Sequence, residues 1–111
     1  MKKRIVEGIE IEASTGNVFA DLKLADADKL KIKSGLTIEI AKAIRERGLT
    51  QEEAARRMGL TQPKVSALLR GEFSNFSERK LMNCLNRLGY DIEIRVHATQ
   101  APVGHLTLTH A

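Results

Sequence analysis

In GLTQEEAARRMGLTQPKVS, residues 48–66, two helix starts follow each other with a single glycine stop between them. Thr50-Gln51-Glu52-Glu53 is a capping box, in which the Thr50 hydroxyl takes the amide of Glu53 and the Glu53 side chain reaches back. The helix it opens carries Ala54, Ala55 and Met58 and stops at Gly59. Thr61 caps the next helix, and Pro63 falls in its first turn, where a missing N–H costs nothing. That second helix buries Val65, Leu68 and Leu69 and ends at Gly71. Gly59 lets the chain reverse in left-handed geometry, and Leu60 plugs the turn beneath both helices. Ala54 and Ala55 are small enough for the second helix to cross closely. Caps, alanine pair, glycine and leucine together predict a helix-turn-helix.

Working outward, apolar residues upstream recur at Leu36, Ile40 and Ile44 with Ala41 and Ala43 beside them, which is helical spacing. Asp26 and Asp28 suit a first turn, where the helix dipole favours acids, and Gly48 serves as the stop. Ser34-Gly35 leaves two readings: one helix over about 26–47, or two helices meeting at Gly35. Nothing there stops a helix outright, which favours one. A further short helical turn around 18–22 follows Asn17 as its cap. Downstream, Ser77 caps a last helix bearing Leu81, Leu85 and Leu88, ended by Gly89. Residues 91–97 then alternate, Ile92, Ile94 and Val96 against Glu93, Arg95 and His97, the pattern of a half-buried strand. Leu106 and Leu108 alternate with Thr107 and Thr109, so a C-terminal hairpin is expected.

The expected fold is therefore mainly α: a five-helix-type, repressor-like helix-turn-helix domain with a C-terminal β-strand or hairpin. Residues 1–16 form an N-terminal arm, 17–90 the DNA-binding domain, and 91–111 a C-terminal strand or hairpin and tail serving dimerisation.

The 111 residues suffice for one domain, and aromatic residues make up only 4% of them, which suits a small helical core of Leu, Ile, Val and Ala. A net charge of +4 and an isoelectric point of about 9.5 favour polyanionic partners, since each neutralised phosphate releases counterions. The single cysteine, Cys84, excludes an intrachain disulfide and fits a buried place in the last helix. Glu7, Glu10 and Glu12 interrupt any apolar signal-peptide core, and no run approaches a membrane span. The chain reads as cytoplasmic, with no membrane association. His97, His105 and His110 sit at no metal-ligand spacing on one rigid element. Neither a phosphate loop nor an acid/base pair is present. No catalytic residue, metal site or cofactor is expected, and the protein reads as a binding module rather than an enzyme.

Residues 48–66 resemble the phage-repressor and Cro (Xre-type) family of helix-turn-helix regulators. The wider run from about 17 to 96, with GNVFADL at 16–22 and RGEFSNFSERKL…LNRLGYDIEI within 70–94, is similar to a narrower group that includes the HigA-type antitoxins of bacterial toxin–antitoxin pairs. The resemblance implies that the helix starting at Thr61 lies in the major groove with its leading residues at base edges. Gln62 then offers its amide to adenine N6 and N7, and Gln51 buttresses the recognition helix while touching a phosphate. Lys64, Ser66 and Arg70 are the other outward candidates, and Thr50, Thr61 and Asn75 suit phosphate contacts. The plainer alternatives are that Gln51 and Gln62 are solvated helix-start residues and that Ser66 merely allows close approach. Arg56 and Arg57 stand at helical spacing from Glu52 and Glu53 and read as a solvated, ion-paired face; Arg45 and Arg47 are open between the two roles.

One recognition helix covers few base pairs, so the expected partner is a double-stranded operator read by a homodimer at two half-sites. Ile92, Ile94 and Val96 are the expected dimerisation residues, through pairing of residues 91–97 with a second copy; pairing within the chain is the alternative. The resemblance also implies an autoregulating repressor that neutralises a RelE/HigB-like toxin, with residues 2–19 as a free segment for it or merely an arm. The other readings are a stand-alone, phage-derived repressor with no toxin partner, and a toxin-binding module in which DNA binding is secondary.

Overall fold

The computed structural model describes residues 26–110. Among them are four helices: α1 (Asp26–Glu46), α2 (Gln51–Met58), α3 (Gln62–Leu69) and α4 (Glu78–Arg87). The turn expected around 18–22 lies outside the described residues, as do the arm 1–16 and the segment 2–19 expected to be free for a toxin.

α1 runs unbroken through Gly35. Its buried positions are Ile32, Leu36, Ile40, Ala43 and Ile44, steps of three and four that stack on one helical face. Against them α4 sets Leu81, Cys84 and Leu85, followed by its C-cap residue Leu88, while α2 adds Ala54, Ala55 and Met58 and α3 adds Val65 and Leu68. Truncating one of the fully buried leucines of this core to alanine costs about 2–5 kcal/mol. Thr37 is the one buried polar residue among those described; its hydroxyl donates to the Lys33 carbonyl at 2.7 Å, so no hydrogen bond is forfeited. Among the described residues no helix is long and apolar enough to cross a membrane.

A glycine inside α1 costs helix stability unless something needs its bare backbone. Here Leu108 does. A Cβ at position 35 would stand 2.6 Å from Leu108 Cδ2, and both Leu106 and Leu108 pack against the core. His105 Nδ1 lies 3.2 Å from an Asp28 oxygen, and His110 contacts Glu39. The end of the chain is thus laid along α1.

This corrects the expected C-terminal strand or hairpin. Residues 91–110 include no strand among those described. Ile92 packs partly on the core, whereas Ile94 is 53% and Val96 95% exposed. Alternation at period two records that one side of an extended chain is covered; it does not say by what. Here Ile92, Leu106 and Leu108 pack against the core, and among the described residues no second backbone supplies the ladder a strand requires. The five-helix, hairpin-ended architecture gives way to four described helices and an extended tail.

The exit from α4 is tied to the end of α1. The Arg47 guanidinium lies 4.7 Å from the Tyr90 ring centroid and donates to the Gly89 carbonyl at 3.2 Å. The Tyr90 hydroxyl donates to Glu46 at 3.1 Å, and the Asn86 amide donates to the Tyr90 carbonyl at 2.9 Å. Arg47 is thus a tie between helices.

Candidate nucleic-acid interface

α2 and α3 form the helix-turn-helix, and α2 is fixed at both of its ends. At its start, the Thr50 hydroxyl accepts from Glu53 N at 3.1 Å and Glu53 Oε1 accepts from Thr50 N at 2.8 Å. Accepting the Thr50 N–H is the main cause that holds the Glu53 carboxyl below the ordinary glutamate value. At its end, Gly59 adopts φ +70° and its N–H returns to the Ala55 carbonyl. The Leu60 N–H bonds to that same carbonyl at 2.9 Å. A side chain at 59 would be strained by this φ and would meet Arg87, whose Nη1 lies 2.5 Å from where a Cβ would stand. Ala54 and Ala55 are buried in the core, and Leu60 packs partly on it.

These constraints leave α3 with one covered side, Val65 and Leu68, and a leading end in solvent: Thr61, Gln62, Pro63 and Lys64 are all exposed. Thr61 occupies the N-cap position with no side-chain cap bond, so its hydroxyl is available to a ligand. Pro63 removes a backbone donor from the first turn. Leu69, expected in the core, is 37% exposed because it falls on the outer side of the helix. Gln51 is half-buried at the start of α2, and the described side-chain hydrogen bonds do not link it to Gln62. The Thr50 hydroxyl is occupied as an acceptor by the cap but keeps its own hydrogen to donate.

Two of the expected contacts are engaged within the chain. Ser66 Oγ accepts from Arg70 Nη1 at 2.8 Å, and Arg70 Nε and Nη2 donate to the two oxygens of Glu72, each at 3.2 Å. The Glu72 carboxylate beside it pushes the Arg70 pKa up, and Arg70 in turn holds Glu72 below the usual carboxylate range. This partner of Arg70 was missed because Glu72 stands beyond the helix, at no helical spacing. Asn75 is exposed in the loop before α4 and lines a shallow groove with Pro63, Lys64, Ser74 and Lys80. Arg56 and Arg57 are exposed and lower the Glu53 pKa through space, but among the described residues neither closes an ion pair with Glu52 or Glu53.

A helix-turn-helix domain family matches residues 18–97. A solved chain assigned to the XRE family of transcriptional regulators is similar at 32% identity and a TM-score of 0.69, over 78% of this chain and 98% of that one. No curated protein matches. The folded core, the helix-turn-helix geometry and this likeness agree, and the chain belongs to the XRE family of helix-turn-helix regulators.

Proposed function

We propose that the protein is a sequence-specific transcriptional regulator that inserts the leading end of α3 into the major groove of an operator. The observation that carries this reading is the exposure of Thr61, Gln62 and Lys64 on a helix whose opposite side is locked into the core by Val65 and Leu68. Gln62 reads a base edge with its two-pronged amide. Thr50, Thr61 and Asn75 hold phosphates, Lys64 adds charge, and Gln51 supports the reading helix from α2. Selection of binding sites from a random DNA pool tests the reading. With the selected site, Gln62→Ala loses about 1–3 kcal/mol on that sequence and far less on random DNA. Equal losses on both would remove Gln62 as a base reader.

The regulator acts as a homodimer spanning half-sites one helical turn apart, about 34–36 Å. Ile94 and Val96, apolar and exposed on this chain, are the residues a second copy covers, with Ile92 anchoring their segment to the core. Ile94→Lys then gives a monomer by light scattering; a persistent dimer would exclude this segment. The finer reading is an autoregulating repressor that is also the antitoxin of a toxin–antitoxin pair, bound to a RelE/HigB-like toxin. It rests on the resemblance of residues 16–22 and 70–94 to HigA-type antitoxins. Co-expression with the product of the neighbouring reading frame tests it: a stable complex and relief of growth arrest support it, and absence of both leaves a stand-alone repressor.

A further inference from the structure

Gln62, Ser66 and Arg70 are spaced at four residues and therefore follow one another along a single face of α3. That face lies away from Val65 and Leu68, which are buried. The far end of the reading face thus carries a guanidinium, and the guanidinium is already occupied. Glu72 grips it with both oxygens at 3.2 Å, while Ser66 receives a third N–H at 2.8 Å. A two-pronged arginine–carboxylate pair has the same geometry that arginine uses toward phosphate or toward guanine O6 and N7. Glu72 therefore occupies the place of a nucleic-acid acceptor.

We propose that Glu72 is a specificity-determining residue: its carboxylate stands in for DNA on Arg70 and keeps that cation from contributing to binding until α3 is fully seated in a matching groove. This rests on the reading of α3 as the DNA-recognition helix. In a loose encounter with arbitrary sequence, the pair presents no net charge, so no counterion is released at this position. In the seated complex a DNA acceptor replaces the carboxylate on the same fork, and Glu72 swings into solvent. Both side chains are more than half exposed, so the exchange requires no opening of the core. An exposed pair of this kind is weak enough to be displaced, which a filter requires.

The test measures binding to a selected operator and to random duplex of equal length across a salt series. Glu72→Gln keeps the side chain's size and removes its charge. It is expected to raise affinity for random DNA by about two- to fivefold, the range of an exposed ion pair, and to steepen the random-DNA salt dependence by about one counterion. Operator affinity rises less, so discrimination falls. Adding Arg70→Ala to Glu72→Gln returns random-DNA affinity and salt slope to those of Arg70→Ala alone. If Glu72→Gln changes neither, or lowers operator affinity, Glu72 is no filter and the proposal is overturned. Should wild-type protein bind no duplex in the pool, it is the DNA-reading role of α3 that fails, an outcome distinct from an unchanged Glu72→Gln variant on a wild type that binds.

Discussion

Replacing Gly35 by alanine sets two effects of similar size and opposite sign against each other, and the position of Leu108 decides between them. Within a helix interior, alanine is favoured over glycine by about 0.8–1.0 kcal/mol. In an α1 with nothing beside it, the change would stabilise the fold by that amount. The new Cβ, however, would stand 2.6 Å from Leu108 Cδ2 and 3.6 Å from His110 Nε2, so Leu108 must leave its seat. Full burial of a leucine side chain is worth about 1.5–3 kcal/mol; Leu108 is only half-buried, so about 1 kcal/mol is at stake. Gly35→Ala in the full chain is therefore expected to change stability by less than about 0.5 kcal/mol, the two terms nearly cancelling. In a Leu108→Ala background the clash is absent, and the same substitution is expected to stabilise by about 0.8–1.0 kcal/mol. Urea denaturation followed by far-ultraviolet circular dichroism measures all four corners of this cycle. Equal stabilisation in both backgrounds would refute the packing of the tail on α1.

Other outcomes follow from the capping box and the core. Because Glu53 has a lowered pKa in the folded chain, the stability it supplies is complete above the ordinary glutamate value of 4.5 and drains away as pH falls through the lower folded value. Glu53→Gln, which can still accept the Thr50 N–H, should flatten the wild-type loss of stability in that acidic window; an unchanged pH profile would show the carboxylate to be uninvolved. Thr50→Ala removes the other half of the box and should cost about 1 kcal/mol in urea titrations at neutral pH. Burial pushes the Cys84 thiol up, against the opposing charges of Lys80 and Arg87, so the native protein should react with a thiol reagent only as fast as it opens. Prompt stoichiometric labelling would contradict the packing of α4 on α1.

The helices were legible because each is bounded by chemistry that acts within a few residues. Thr50 and Glu53 close a box across one turn, Ser77 takes the Lys80 amide, and Gly48, Gly59, Gly71 and Gly89 all take the positive φ expected of helix stops. The continuity of α1 through Gly35 needed more than local chemistry, since the residue that justifies a bare backbone there, Leu108, lies far along the chain. The strand failed for a related reason. A ladder is a property of two backbones, and the alternation of Ile92, Ile94 and Val96 describes only one.

The interface divides along the same line. Which residues cap α3, which lead it and which are buried beneath it can be read from the caps and the spacing, because Gln62 and Lys64 stand in the first turn, ahead of the buried Val65 and Leu68. What those outward side chains hold cannot, since a long flexible arm can turn to any neighbour within its reach. Arg70 illustrates the difference: its place on the reading face follows from its spacing to Gln62, yet its grip on Glu72 follows from a chain reversal at Gly71, φ +84°, that brings a residue outside the helix back beside it. A side chain at 71 would be strained in that conformation and would tend to carry Glu72 away. Gly71→Ala is therefore expected to mimic Glu72→Gln in its gain on random DNA while also losing stability, because the backbone turn and the charge pair are one device.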